Sequence, residues 1–398
     1  MRLLLALLVT LVAFNVQASV WQTRQQWNSD WEKQFDAWVA GPDWHKDYFV
    51  QTGPLQGLKL DCADAVYSMR LLFSAKHGLP FVIKDPTGGS RTISNEMSRF
   101  DSQSSSQRLR SFLSYIYGVT STRSLPSDTY PVAVSRTAMG AGSLLLTDAN
   151  SRHTYTVKYM SETGIPFLLS RSLPPATQMF ENYEYPPAEY VFSGGLSPER
   201  SSGFRRFRQP AYIGRSAWEV PGYSTEQYKI PLGSWNETVQ RKLATRSESI
   251  EERMTRIVEQ ACRTARERAV VVAMGDRYLS QMSNTCMNDT QFDDYSTPSR
   301  DKRLKMTFTQ FTREAEMSRG KLPSGLQGKI DNVLLGERSA NSSSPYCQVS
   351  IGSGLNLTLG QVYERLLQGK FSSSPHDTLK MRWGFTQFPG DRAKRCGR

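Results

Sequence analysis

Apolar residues recur along this chain with two periods, and the change of period marks its elements. Trp27, Trp31, Phe35 and Trp38 stand four, four and three residues apart, one face of an amphipathic helix. Val66, Met69, Leu72 and Phe73 mark a second helix over 62–76, ended at His77-Gly78, and Leu79 to Ile83 continues as an extended segment. Asp85-Pro86-Thr87-Gly88-Gly89 is a turn cluster. The polar stretch Ser102 to Gln107 reads as a surface loop. Leu109, Phe112, Leu113 and Ile116 predict a short helix closed at Gly118. The period then shortens. Gly142–Thr147, His153–Met160 and Phe167–Ser170 read as three strands of an antiparallel meander.

From Tyr183 to Trp235 proline, glycine, tyrosine and arginine dominate, which reads as a long irregular connection with a domain boundary somewhere over 185–235. Residues 237–283 are helical in composition, with Ile250, Met254, Ile257, Val258 and Ala261 on one face and Gly275 as a possible break. Leu359 to Leu367 forms a further short helix. The pattern predicts an α+β chain: a domain over 19–185, a connection over 186–235 and a mainly helical region over 236–398. Ahead of it, Arg2, the apolar run Leu3 to Phe14 and the small residues before Ser19 have the layout of a secretory signal peptide over 1–18. The chain is therefore expected to be exported, to a periplasmic or extracellular location, with no integral span after cleavage.

Composition narrows the classes. The 398 residues are 38% hydrophobic and 22% charged, too apolar for a disordered polymer and too polar for a polytopic membrane protein. Only four histidines occur, none paired at metal-ligand spacing, and there is no C-x-x-C, so no metal site is expected. Without a P-loop or a strand–G-x-G-x-x-G–helix, no nucleotide cofactor is expected either. The net charge of +12 comes from basic residues interleaved with glutamates. For an exported protein this fits an anionic envelope polymer better than nucleic acid. Five tryptophans between Trp21 and Trp44 form either a docked core helix or an exposed sugar-binding face.

Five cysteines occur. In an oxidising compartment Cys262, Cys286, Cys347 and Cys396 are expected to form two disulfides, with the short-loop pairing 262–286 and 347–396 favoured, and Cys62 is left over. Cys62 opens the helix over 62–76, where unpaired N–H groups and the helix dipole favour a thiolate. Asp61 is a natural N-cap and Asp64 completes an acidic capping box, but both carboxylates oppose ionisation of the thiol. Activation then needs a cation, and an imidazolium is the usual supplier. His153 is the candidate, sharing a strand face with Tyr155, Val157 and Tyr159, the more apolar face and the one expected to pack on the helix. The plainer alternative is a buried structural cysteine beside a core histidine.

Leu60-Asp61-Cys62-Ala63-Asp64-Ala65-Val66-Tyr67, followed by Gly78-Leu79-Pro80, resembles the nucleophile helix of NlpC-type cell-wall cysteine peptidases. Gly142-Ser143-Leu144-Leu145 and the strand opened by His153 resemble their following strands. The same stretch is similar to transglutaminase-like cores. The resemblance covers roughly residues 45–175. Ala63-Asp64 stands where that family has Ser-Gly, and Ser143 where it has Asp. It implies a papain-like core, a nucleophile helix packed on an antiparallel sheet, and cysteine hydrolase activity toward an amide in peptidoglycan or another envelope substrate. Acyl transfer by the same pair, or glycan binding without catalysis, are the alternatives. The residue orienting His153 is expected at Ser170 or Ser172, with Asp148 and Asn150 as turn alternatives. An oxyanion donor is expected at the Cys62 N–H, helped by Gln56 or Tyr48.

Overall fold

A computed structural model describes residues 19–148, 153–198, 201–282 and 286–386. The signal-peptide segment 1–18, Asn150 and Cys396 lie outside the described residues. The architecture is mixed α+β, with an antiparallel sheet and a helical C-terminal region.

Helix α1 (Ser29–Ala40) starts at Asn28, whose side chain accepts from the N–H groups of Asp30 and Trp31. Its Phe35 meets Phe73 of α2 (Cys62–His77) at 5.3 Å between ring centroids. Every α2 residue from Ala63 to Ser74 is buried, so α2 is a core helix enclosed on all sides. Gly78, at φ 64°, ends it in the left-handed region. A hairpin of β1 (Val82–Lys84) and β2 (Thr92–Ser94) follows. Helix α3 (Ser105–Val119) begins inside the polar stretch read as a loop, because Ser104 and Gln107 form a capping box, and it runs on through Gly118. A short turn, α4 (Leu125–Asp128), leads into the main sheet.

That sheet contains β3 (Thr129–Pro131), β4 (Leu144–Leu146), β5 (Thr154–Met160), β6 (Pro166–Ser170) and β7 (Phe180–Asn182), then α5 (Ala188–Val191) intervenes before β8 (Gly203–Phe207). The strand order is β3-β8-β4-β5-β6-β7, all neighbours antiparallel. The expected meander is present as β4-β5-β6. Residues 186–235, however, are more than a connection, since β8 lies within the sheet between β3 and β4, and the boundary near 185 falls inside the fold. Its arginines disguise the strand. Arg205 is buried and donates through Nε to Thr129 Oγ1 at 2.8 Å, and Arg206 pairs with Asp36 at 2.5 Å.

The two faces of the sheet carry separate cores. Leu144, Leu146, Phe167 and Leu169 pack with α1 and α2. Leu145, Tyr155, Val157, Leu168 and Phe204 pack with Val191 and with Trp235 and Val239 of α6 (Trp235–Leu243). Helix α7 (Ile250–Gln281) passes Gly275 unbroken; a Cβ there would come within 3.0 Å of Tyr295 Cβ, so the glycine admits a neighbour rather than ending the helix. Helices α8 (Asp289–Tyr295), α9 (Pro298–Ser318) and α10 (Ser324–Leu334) follow, then a hairpin of β9 (Gln348–Gly352) and β10 (Leu355–Thr358), and helices α11 (Leu359–Leu367) and α12 (Leu379–Arg382). They enclose a third core that includes Met254, Ile257, Phe308, Phe311, Val362 and Trp383. No helix among the described residues is long and apolar enough to cross a membrane.

The disulfide joins Cys262 to Cys347, with Cα atoms 6.0 Å apart, in place of the short-loop pairing 262–286. Cys262 faces the third core from α7, and Cys347 sits just ahead of β9, so packing rather than loop length selects the partner. Cys286 is also disulfide-bonded.

Candidate functional site

Cys62 is the first residue of α2 and carries a free thiol, partly exposed. Asp61 Oδ1 accepts from the N–H groups of Ala63 and Asp64 at 2.8 and 3.0 Å, and Asp64 Oδ2 accepts from the Asp61 N–H at 2.8 Å. This closed capping box fixes the helix entrance and the sulfur upon it. Cys62 lines a cavity of about 380 Å³ together with His153, Tyr190, Ser172, Arg300 and Arg303. The cavity lies between the end of the sheet and the first turn of α9.

His153 is buried just ahead of β5. Its backbone N–H donates to Thr147 Oγ1 at 2.7 Å, its carbonyl accepts from the Thr147 N–H at 2.9 Å, and its ring meets Tyr155 edge-on at 4.5 Å. The expected face is corrected. Thr154 and Thr156 stand opposite Leu146 and Leu144, which pack on the α2 side, whereas Tyr155 and Val157 pack on the α6 side. Threonine, β-branched and able to bury its methyl, serves as a core residue there. His153 reaches the cavity around the end of the strand. Among the described residues no hydrogen bond joins its ring to Cys62 Sγ.

The other expected site residues divide. Ser170 is buried and turned to Asn182, whose Nδ2 donates to it at 3.4 Å, and it does not line the cavity. Ser172 does, and carrying the Thr156–Leu169 register onward brings it, rather than Ser170, level with His153. Asp148 accepts from the Ser193 hydroxyl and the Gly194 N–H. Gln56 is exposed and donates to the Val50 carbonyl at 3.4 Å, and Tyr48 packs on Trp44 and Phe49 beside a different cavity. Neither lines the Cys62 cavity, and the chain over 51–57 is mostly exposed. Cavity-lining donors left for an oxyanion include the Cys62 N–H, Tyr190 and Arg303. Of the remaining histidines, His45 accepts from the Asp47 N–H, His77 packs on Phe73, and His376 accepts from the Met287 N–H.

Tyr190, Arg300 and Arg303 were not expected from the sequence. Arg303 donates to Tyr155 Oη at 2.8 Å and pairs with Glu267 at 2.6 Å. Arg300 donates through Nη2 to Ser172 Oγ at 2.5 Å and to the Leu173 carbonyl. The three-residue spacing on one helix face is the only local signal for the two arginines; Tyr190 lies in a stretch whose composition says only "irregular".

Electrostatics set the resting state. Burial, with the charges of Asp61 and Asp64, pushes the Cys62 thiol well above its ordinary value. Burial, with Arg303 and Arg300 nearby, holds His153 well below its own. Burial and the charge of Asp61 raise Asp64. At neutral pH the pocket therefore holds a thiol and a neutral imidazole, not a preformed ion pair. A neutral imidazole is free to take a proton, and Arg300 and the α2 entrance offer positive potential to an anion forming beside the sulfur. Among the described residues no group of three or more His, Cys, Asp or Glu side chains is placed to hold a metal ion. No protein-family model, curated protein or solved structure matches the chain.

Proposed function

We propose that the chain is an exported cysteine hydrolase of papain-like layout that cleaves an amide bond in peptidoglycan or another envelope polymer. The observation that carries the reading is one cavity lined by the free thiol of Cys62 at a helix entrance, the neutral imidazole of His153 and the cations Arg300 and Arg303. Cys62 Sγ adds to the amide carbonyl as its proton passes to His153. The C–N bond then breaks and His153 returns that proton to the leaving amine. Water, deprotonated by His153, splits the thioester, which releases a carboxylate and restores the thiol. Hydrolysis by this route requires the His153 ring to come within hydrogen-bond reach of Cys62 Sγ once substrate fills the cavity; such catalytic bonds are often long without substrate. The papain-like layout is supported by the order of cysteine helix and histidine strand. The basic surface, +12 overall, suits an anionic envelope polymer as partner.

The raised thiol and depressed imidazole favour one other reading, a binding pocket in which Cys62 only packs. Release of free amino groups from purified peptidoglycan separates the two. Cys62→Ala and His153→Ala are each expected to lower it at least ~1000-fold. A Cys62→Ala protein that releases amines at the wild-type rate rules the hydrolase out.

A further inference from the structure

Of the three guanidinium groups near the Cys62 cavity, two make no ion pair among the described residues. Arg171, Arg300 and Arg303 lie close enough to influence one another, and the one carboxylate in ion-pair contact with any of them, among the described residues, is Glu267, held by Arg303 at 2.6 Å. Arg171 spends its two Nη groups on the carbonyls of Gln178 and Pro174. Arg300 donates only to neutral oxygens, Ser172 Oγ and the Leu173 carbonyl, and its buried Nε has no partner. The neighbouring Asp301 is turned away, accepting from Arg268 at 2.5 Å and from the hydroxyls of Thr297 and Ser373. Asp61, on the facing wall, is occupied by two N–H groups of α2. Arg300 is partly buried and feels Glu267 and Asp301 only through space, and a ligand anion in the cavity supplies the direct pair it lacks. Arg300 also sits in the first turn of the 21-residue α9, whose positive end adds to the field.

We propose that Arg300, backed by Arg303, is a carboxylate-recognition subsite, so that the ligand of this cavity is a short peptide bearing a free carboxylate. The planar guanidinium matches a carboxylate in shape. A doubly charged phosphate fits less well, because Asp61 and Asp293 line the same cavity. Under the hydrolase reading, on which this part rests, that carboxylate lies beside the bond attacked by Cys62 and sets substrate choice. The anion preference itself does not depend on catalysis.

The test uses the full chain carrying Cys62→Ala, which cannot turn a ligand over. Calorimetry compares N-acetyl-alanyl-alanine with its C-terminal amide and with inorganic phosphate. The acid is expected to bind at least ~10-fold tighter than the amide. Arg300→Gln is expected to erase that preference by weakening the acid at least ~10-fold more than the amide, and Arg300→Lys to restore part of it. Equal binding of acid and amide, no binding of either, or tighter binding of phosphate overturns the proposal. So does an Arg300→Gln protein that weakens both peptides alike, the mark of a merely structural arginine. If only the hydrolase reading is wrong, the acid preference persists while the wild-type protein releases no amine.

Discussion

Asp128 is fully buried at the junction of α2 and the sheet, where it accepts from Tyr67 Oη at 2.6 Å and from the Lys84 N–H at 2.7 Å. Burial outweighs these bonds and pushes its carboxyl up to about 7 from an ordinary 3.8. A carboxyl raised on folding binds its proton more tightly in the folded chain, so its contribution is present at low pH and is lost as pH rises from about 4 through about 7. Asp128→Asn removes this dependence. Relative to the variant, the wild-type protein is expected to lose about 2–4 kcal/mol between pH 4 and pH 7 in denaturant unfolding; parallel stability curves would refute the assignment. At this scale the sequence shows Cys62, because an Asp-Cys pair opening a helix is local chemistry. It shows His153 and its strand face but assigns that face to the wrong helix, since two threonines read as polar are buried on the α2 side. Arg300 is invisible, because its lack of a direct ion pair is a fact about residues far apart in the chain.

Elements bounded by local signals are read closely. Asp61 and Gly78 bracket α2, and Leu359 to Leu367 is α11 as expected from its spacing. Elements that depend on distant partners are missed. Strand β8 is one, and the start of α3, with its polar first turn, is another. The turn between β5 and β6 shows how tightly such elements meet. Gly164, at φ 76°, leaves so little room that a Cβ would stand 2.2 Å from the Gln240 carbonyl oxygen and 2.8 Å from the Ala244 N, at the end of α6. Both obstacles are backbone and cannot rotate aside. Gly164→Ala is expected to cost about 2–4 kcal/mol in urea unfolding, and a variant within about 0.5 kcal/mol of wild type would show that α6 shifts freely.

Across the whole molecule, three cores share one chain: one on each face of the sheet, and a third among the C-terminal helices. The Cys262–Cys347 disulfide lies in the third, linking residues 85 apart. Replacing Cys262 and Cys347 by alanine frees a long loop in the unfolded chain, worth about 4 kcal/mol by loop-closure entropy. Amide exchange is expected to quicken in α7, α9 and α11 while β4 to β6 keep their protection; equal quickening everywhere would mean a single cooperative unit. Composition and charge are legible at this scale, but the meeting of halves is not. That meeting matters most at the cavity, where the sulfur comes from one half of the chain and Arg300 from the other. On the proposed reading, severing the polypeptide near its midpoint would part the attacking sulfur from the cation that chooses a guest, and would take β8 out of the sheet, so both capacities belong to the intact chain.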